Sequence, residues 1–79
     1  MQLEILTPKG LEYKDEVMRI TLPTRMGQIS VLPQHEPLIS VLKAGIMTIK
    51  TNKEEKEIEI EGGILEIAGG AAVILLKKF

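Results

Sequence analysis

The sequence predicts an all-β fold, a β-sandwich or flattened barrel of two packed sheets. Three observations predict it. No stretch of about ten residues carries the 3.6-residue apolar period of a helix. Short runs that alternate apolar and polar residues recur along the chain. Turn-forming residues punctuate those runs about every 8–12 residues, the spacing of an all-β sandwich.

The elements follow in order. Gln2-Leu3-Glu4-Ile5 alternates polar and apolar and reads as a strand with one buried face. Thr7-Pro8-Lys9-Gly10 is a turn, with proline presetting φ at its second position and glycine suited to its fourth. Leu11–Lys14 is a second strand, broken by Asp15-Glu16. Val17–Leu22 is a third, with Met18, Ile20 and Leu22 on one face. Pro23 cannot donate to a central ladder and ends it.

Thr24-Arg25-Met26-Gly27 is a loop with one outward methionine. Gln28–Leu32 and Leu38–Leu42 are strands, and Lys43-Ala44-Gly45 turns the chain. Ile46–Lys50 and Glu57–Glu61 read as the two arms of a hairpin with loop 51–56. Matching apolar residues sets Met47 opposite Ile60, Ile49 opposite Ile58 and Lys50 opposite Glu57. Gly62-Gly63 permits a sharp bend. Ile64–Ile67 is a strand, Ala68-Gly69-Gly70 a turn and Ala71–Leu76 the last strand. That strand is apolar on both faces. Exposed, it would be an aggregation segment, so it is expected to be internal or covered by a neighbour. An apolar patch on one outer face is expected for the same reason.

Seventy-nine residues make one domain, 1–79, with a marginal core. The chain has no cysteine, which removes disulfides and thiolate zinc sites. Its formal charge of -1 and its two aromatics, Tyr13 and Phe79, argue against nucleic-acid binding. The longest uncharged run, Ile67–Leu76, falls well short of the roughly 20 residues that span a bilayer. The N-terminal residues lack a basic stretch before an apolar run, so they do not read as a signal peptide. Membrane association is expected only through another protein.

Catalysis has little to stand on. His35 is the one histidine and lies in sequence near Ser30 and Ser40, but nothing brings the lone aspartate, Asp15, to orient it. One histidine without cysteine cannot fill a metal's first shell. Glu57, Glu59 and Glu61 share a strand face, read as a solvated acidic face because no ligand-bearing loop accompanies them. Gly62-Gly63 and Gly69-Gly70 lack the strand–loop–helix setting and lysine of a phosphate loop. No catalytic residue, cofactor or metal is therefore expected. Arg25-Met26 reads either as a solvated loop tip or as a protein contact, since surface methionines adapt to partners and guanidinium groups pair with carboxylates or carbonyls.

The stretch Leu22–Ser40, with its Gly-x-x-x-Val-Leu-Pro-x-His-x-Pro-Leu pattern, resembles the ε subunit of bacterial and chloroplast F-type ATP synthases. Leu3–Gly10 resembles the opening of that family. Leu42-Lys43-Ala44-Gly45 resembles its Leu-Lys-Pro-Gly turn, and Gly62-Gly63-Ile64-Leu65-Glu66-Ile67 its Gly-Gly-Phe/Ile-Leu-Glu-Val segment. The four motifs come in the family's order and cover nearly the whole chain.

The resemblance implies a ten-stranded β-sandwich at the foot of the central stalk. It implies a non-catalytic rotor subunit of the F1 sector that binds the γ subunit and the polar loops of the c-ring and couples proton translocation to ATP synthesis. It also implies a peripheral location on the cytoplasmic face of the bacterial inner membrane. Arg25, Met26, Gly27 and Gln28 would face the c-ring; Pro33, His35, Glu36 and Pro37 would form a stalk loop near the γ and ring contacts. The family often carries an acidic residue where Gln28 stands and more usually glycine at Gln34. Most members continue into a C-terminal helical hairpin; this chain, ending at Lys77-Lys78-Phe79, is expected to be a short or cut form without it. The competing reading is a lipoyl- or biotinyl-carrier domain with Lys53 as the modified lysine.

Overall fold

Fourteen residues, Glu55–Ala68, run as one unbroken strand. Straight, they would span roughly 46 Å at about 3.3 Å per residue. The longest dimension of the molecule is 25 Å. The strand must therefore bend sharply, and that bend makes one sheet into two layers. The computed structural model describes residues 1–79 and contains no helix.

Seven strands form the sheet: β1 (Gln2–Thr7), β2 (Gly10–Glu16), β3 (Arg19–Thr24), β4 (Gly27–Val31), β5 (Leu38–Lys50), β6 (Glu55–Ala68) and β7 (Ala71–Leu75). Their order is β2-β1-β7-β6-β5-β3-β4. All neighbours are antiparallel except β1 and β7. One layer comprises β2, β1, β7, the second half of β6 and the first half of β5. The other comprises the first half of β6, the second half of β5, β3 and β4. The all-β sandwich is as expected, with seven strands rather than ten. Leu38–Leu42 and Ile46–Lys50 are one strand, as are Glu57–Glu61 and Ile64–Ile67, because the bends at 43–45 and 62–63 do not interrupt pairing for long.

Between the layers lies a single cluster of 15 buried apolar residues, among them Leu3, Ile5, Ile20, Leu22, Met47, Ile49, Leu65 and Ile74. Alternation places them. In β1 Leu3 and Ile5 point inward, and in β7 Ala72 and Ile74 do so. Strand β7 is internal, between β1 and β6, as its two-sided apolar character predicts.

Four local readings need correction. The β5–β6 register pairs Met47 with Ile58, Ile49 with Lys56 and Lys50 with Glu55, two residues from the expected pairing. A two-residue slip keeps every side chain on its face, so alternation alone could not choose between the two. The shorter 51–54 turn decides the register. There the Thr51 hydroxyl accepts the Lys53 and Glu54 N–H groups, each at 3.2 Å.

Val17 is buried and Met18 exposed, the reverse of the expected phase. The chain crosses between layers here. The Val17 N–H donates to the Met1 carbonyl at 2.8 Å, and the Met18 N–H to the Lys50 carbonyl at 2.7 Å. The crossing resets the alternation, so Ile20 and Leu22 belong with Val17.

Pro23 lies inside β3 rather than ending it, paired with Gln28 on β4. The register between β3 and β5 breaks between Thr21 and Thr24, around the residue that has no N–H to give. Likewise Asp15-Glu16 continues β2.

At the β2 edge, one side chain from β6 and one from the C-terminal tail lie against Tyr13. Tyr13 lies 6.1 Å from the Phe79 ring, and the Lys56 ammonium sits 5.1 Å above the Tyr13 ring centroid.

Candidate functional site

Two loops and one sheet face could serve as contacts. Loop 24–28 joins β3 to β4. Gly27 opens β4 at φ +116°, a conformation open to glycine and strained for other residues. Thr24 is 1% exposed, and its hydroxyl donates to the Gly27 carbonyl at 2.6 Å while accepting the Met26 N–H at 3.1 Å. The Arg25 N–H donates to the Val41 carbonyl at 3.3 Å. The tip is thus tied down, yet Met26 is 94% exposed and Arg25 makes no ion pair within the chain. Gln28 is also exposed.

Loop 33–37 follows β4 at its other end, so the structure separates the two expected contact loops by the length of that strand, roughly 17 Å. It does not bring them into one site. Pro33, His35, Glu36 and Pro37 are all exposed. The His35 N–H donates to the Leu32 carbonyl at 3.2 Å, and its Nδ1 donates to the Glu36 carbonyl at 2.7 Å. No hydroxyl or carboxylate is bonded to the ring. Gln34 adopts φ 70°, the left-handed region.

Sequence reasoning expected an outer apolar patch without naming its members; the strand register supplies them. On the outer face of the first layer, Leu11 pairs with Leu6, Leu6 with Leu75, Leu75 with Ile64, and Ile64 with Val41. Five apolar side chains thus form a row across five strands, at about 4.8 Å per strand. All but Leu6 are exposed, and Ile39, beside the row, is 71% exposed. Each appears as an ordinary outward residue in its own strand; only cross-strand pairing aligns them. Thr24 was also missed, because its burial depends on β5 passing behind the turn.

Other features offer no chemistry. A cleft of about 660 Å³ lies at one end of the sandwich, lined by Met1, Val17, Met18 and Pro33 with Asp15, Glu16, Lys53 and Glu54. Asp15 is bonded to Tyr13 and to the Glu16 N–H, not to His35. Burial, then the Asp15 charge and hydrogen bond, push the Tyr13 hydroxyl above its usual pKa. No group of three or more histidine, cysteine or acidic residues could hold a metal ion. Glu57, Glu59 and Glu61 stand exposed along one side of β6. No helix is long and apolar enough to cross a membrane.

The chain is in class a bent two-layer β domain with a stapled turn and an exposed apolar row on its outer face. Comparison with known proteins makes it particular. The family described as "ATP synthase, Delta/Epsilon chain, beta-sandwich domain" matches residues 1–79, and the chain belongs to that family. It is 43% identical over 76 residues to an ATP synthase epsilon chain of Campylobacter curvus, covering 95% of this chain and 59% of the relative. It is 38% identical over 80 residues to one from Sulfurimonas denitrificans, covering 98% and 60%. The chain thus spans about three-fifths of the length of these relatives.

Among solved structures, it is similar to a chain in the cryo-EM structure of the Euglena gracilis mitochondrial ATP synthase, OSCP/F1/c-ring. The TM-score is 0.88 at 25% identity, covering 96% of this chain and 49% of the other. A chain of the Tetrahymena thermophila mitochondrial ATP synthase central stalk/c-ring shares the fold, with TM-score 0.83 at 20% identity over 96% of this chain and 62% of that one. Lys53 does stand exposed at the β5–β6 hairpin tip, but between Asn52 and Glu54, and the family assignment opposes the carrier alternative.

Proposed function

We propose that this domain is a non-catalytic rotor element of an F-type ATP synthase, seated in the central stalk against the γ subunit and the c-ring. The observation that carries the reading is the family match across all 79 residues. The physical properties fit the task. A two-layer core packed at crystal-like density deforms little under load, so force applied at one surface arrives at another. The 24–28 turn adjoins the Val41 end of the apolar row through the Arg25–Val41 backbone bond, and the 33–37 loop lies at the other end of β4.

In this reading the outer row Leu11, Leu6, Leu75, Ile64 and Val41 packs against γ. A continuous exposed apolar row of this kind marks an interaction surface. Arg25, Met26, Gly27 and Gln28 meet the polar loops of the c-ring. Pro33, His35, Glu36 and Pro37, one strand-length away, lie near the junction of stalk and ring. The domain makes and breaks no bond itself; it couples proton translocation to ATP synthesis mechanically. It lies peripherally, on the cytoplasmic face of the bacterial inner membrane, held by the complex.

Co-expression of this chain with γ and affinity purification tests the reading. Stoichiometric recovery of γ is expected. Recovery of the folded domain without γ would sink it.

A further inference from the structure

The two buried polar residues of the chain, Thr24 and Thr51, do the same thing in two places. Each staples a hairpin turn with its hydroxyl. At the β3–β4 turn the result is unusual for an exposed tip, where backbone is normally mobile. The Arg25 amide is held by Val41, the Met26 amide by the Thr24 hydroxyl, and the Gly27 carbonyl by the same hydroxyl. What this rigid tip presents has no partner in the chain: a thioether side chain 94% exposed, and a guanidinium without an ion pair. Arg25 is also the only Asp, Glu, Lys or Arg between Arg19 and Glu36.

We propose that Thr24 is the positioning residue of the ring contact, holding Arg25 and Met26 as a preformed prong for an apolar recess edged by carboxylate oxygens. The proposal rests on the reading that this loop meets the c-ring. Ordering a loop on binding lowers affinity, and a loop ordered beforehand avoids that loss. A methionine is suited to an irregular apolar recess. A lone guanidinium pairs best with a carboxylate, which it can meet in bidentate fashion. Thr24 touches no partner itself; it acts through the backbone of the two residues that do.

The test uses the full chain and the host's γ–c-ring subcomplex in detergent, at a temperature where every variant is folded. Thr24→Val keeps the shape and removes the hydroxyl; it should weaken binding about tenfold and speed amide exchange at Met26. Thr24→Ser should restore both. Thr51→Val, which removes the matching staple at the other hairpin, should leave affinity within about twofold of the parent. Arg25→Gln should flatten the salt dependence of binding. Should the valine variant fail to fold, Thr24→Ala takes its place. If Thr24→Val binds as the parent does while Met26→Ala weakens binding, the positioning role is overturned and the contact survives. If Met26→Ala and Arg25→Gln also bind unchanged, the loop is no contact and the ring-facing reading falls with it.

Discussion

Gly63 passes against the carbonyl of Leu75 so closely that a Cβ at Gly63 would overlap that oxygen and crowd the Leu76 side chain. This contact lies where β6 bends from one layer to the other, next to the Ile64–Leu75 pair that starts the β6–β7 ladder. A methyl group cannot be accommodated by a rotamer change, since the obstacle is backbone. Gly63→Ala should therefore destabilise the domain by on the order of 3 kcal/mol, in the class of strained-backbone substitutions. Urea unfolding followed by circular dichroism measures it. A loss below about 1 kcal/mol would mean that β6 and β7 can part at this point.

Gln34 is the converse case. Its φ of 70° puts a residue with a Cβ in the left-handed region, at a cost of about 1–2 kcal/mol. Glycine there relieves the clash but adds freedom to the unfolded chain. Gln34→Gly should raise stability by about 0.5–1 kcal/mol, seen as a higher urea midpoint at constant slope. The exposed glutamine side chain forms no hydrogen bond that would be lost.

These two positions mark what was legible in the sequence. Alternation in β1 placed Leu3 and Ile5 in the core, because period-two burial is a local property, whereas β7, apolar on both faces, read as internal without showing that Ala72 and Ile74 are its inward residues. The family motifs carried the fold and identified Gln34 as a position where glycine is usual. The register of β5 against β6 was not legible: two registers differing by two residues bury the same faces, and the Thr51 staple that chooses between them involves burial. The phase at Val17 and Met18 was lost where the chain changes layers. The candidate loops could be picked out as exposed turns, but their separation along β4 and the burial of Thr24 depend on which strands lie alongside them.

Ion pairing at the tail sets one pH dependence. Lys78 reaches Glu61 at 2.8 Å. Its hydrogen bond and then its charge hold the Glu61 carboxyl below the usual range, and Glu61 in turn raises the Lys78 ammonium. Glu61 binds its proton less readily when folded, so its contribution is present above the ordinary carboxylate pKa of about 4.3 and is lost as pH falls through the lowered value. Lys78 holds its proton more tightly when folded, so its contribution is present below about 10.4 and is lost as pH rises through the raised value. Both groups are exposed, so salt should screen the effect. In a carboxyl-carbon NMR titration, Lys78→Met should return Glu61 toward the ordinary range; an unchanged midpoint would show that the pair does not persist in solution.

The apolar row gives the sharpest separation of stability from function. Leu75 and Ile64 face each other on the outer side of the first layer, about half exposed, so polar replacements there remove little buried area. Leu75→Gln with Ile64→Thr should change unfolding free energy by no more than about 1 kcal/mol, the scale of surface substitutions. The same pair of changes interrupts the row at its centre, leaving Leu11 and Leu6 on one side and Val41 on the other. Central apolar anchors dominate interface energies, whereas rim residues contribute little. Recovery of γ on co-purification should therefore fall at least tenfold, while Glu57→Gln on the other layer should leave it unchanged. A double variant that unfolds as the parent does and still retains γ would show that γ is held elsewhere on the domain.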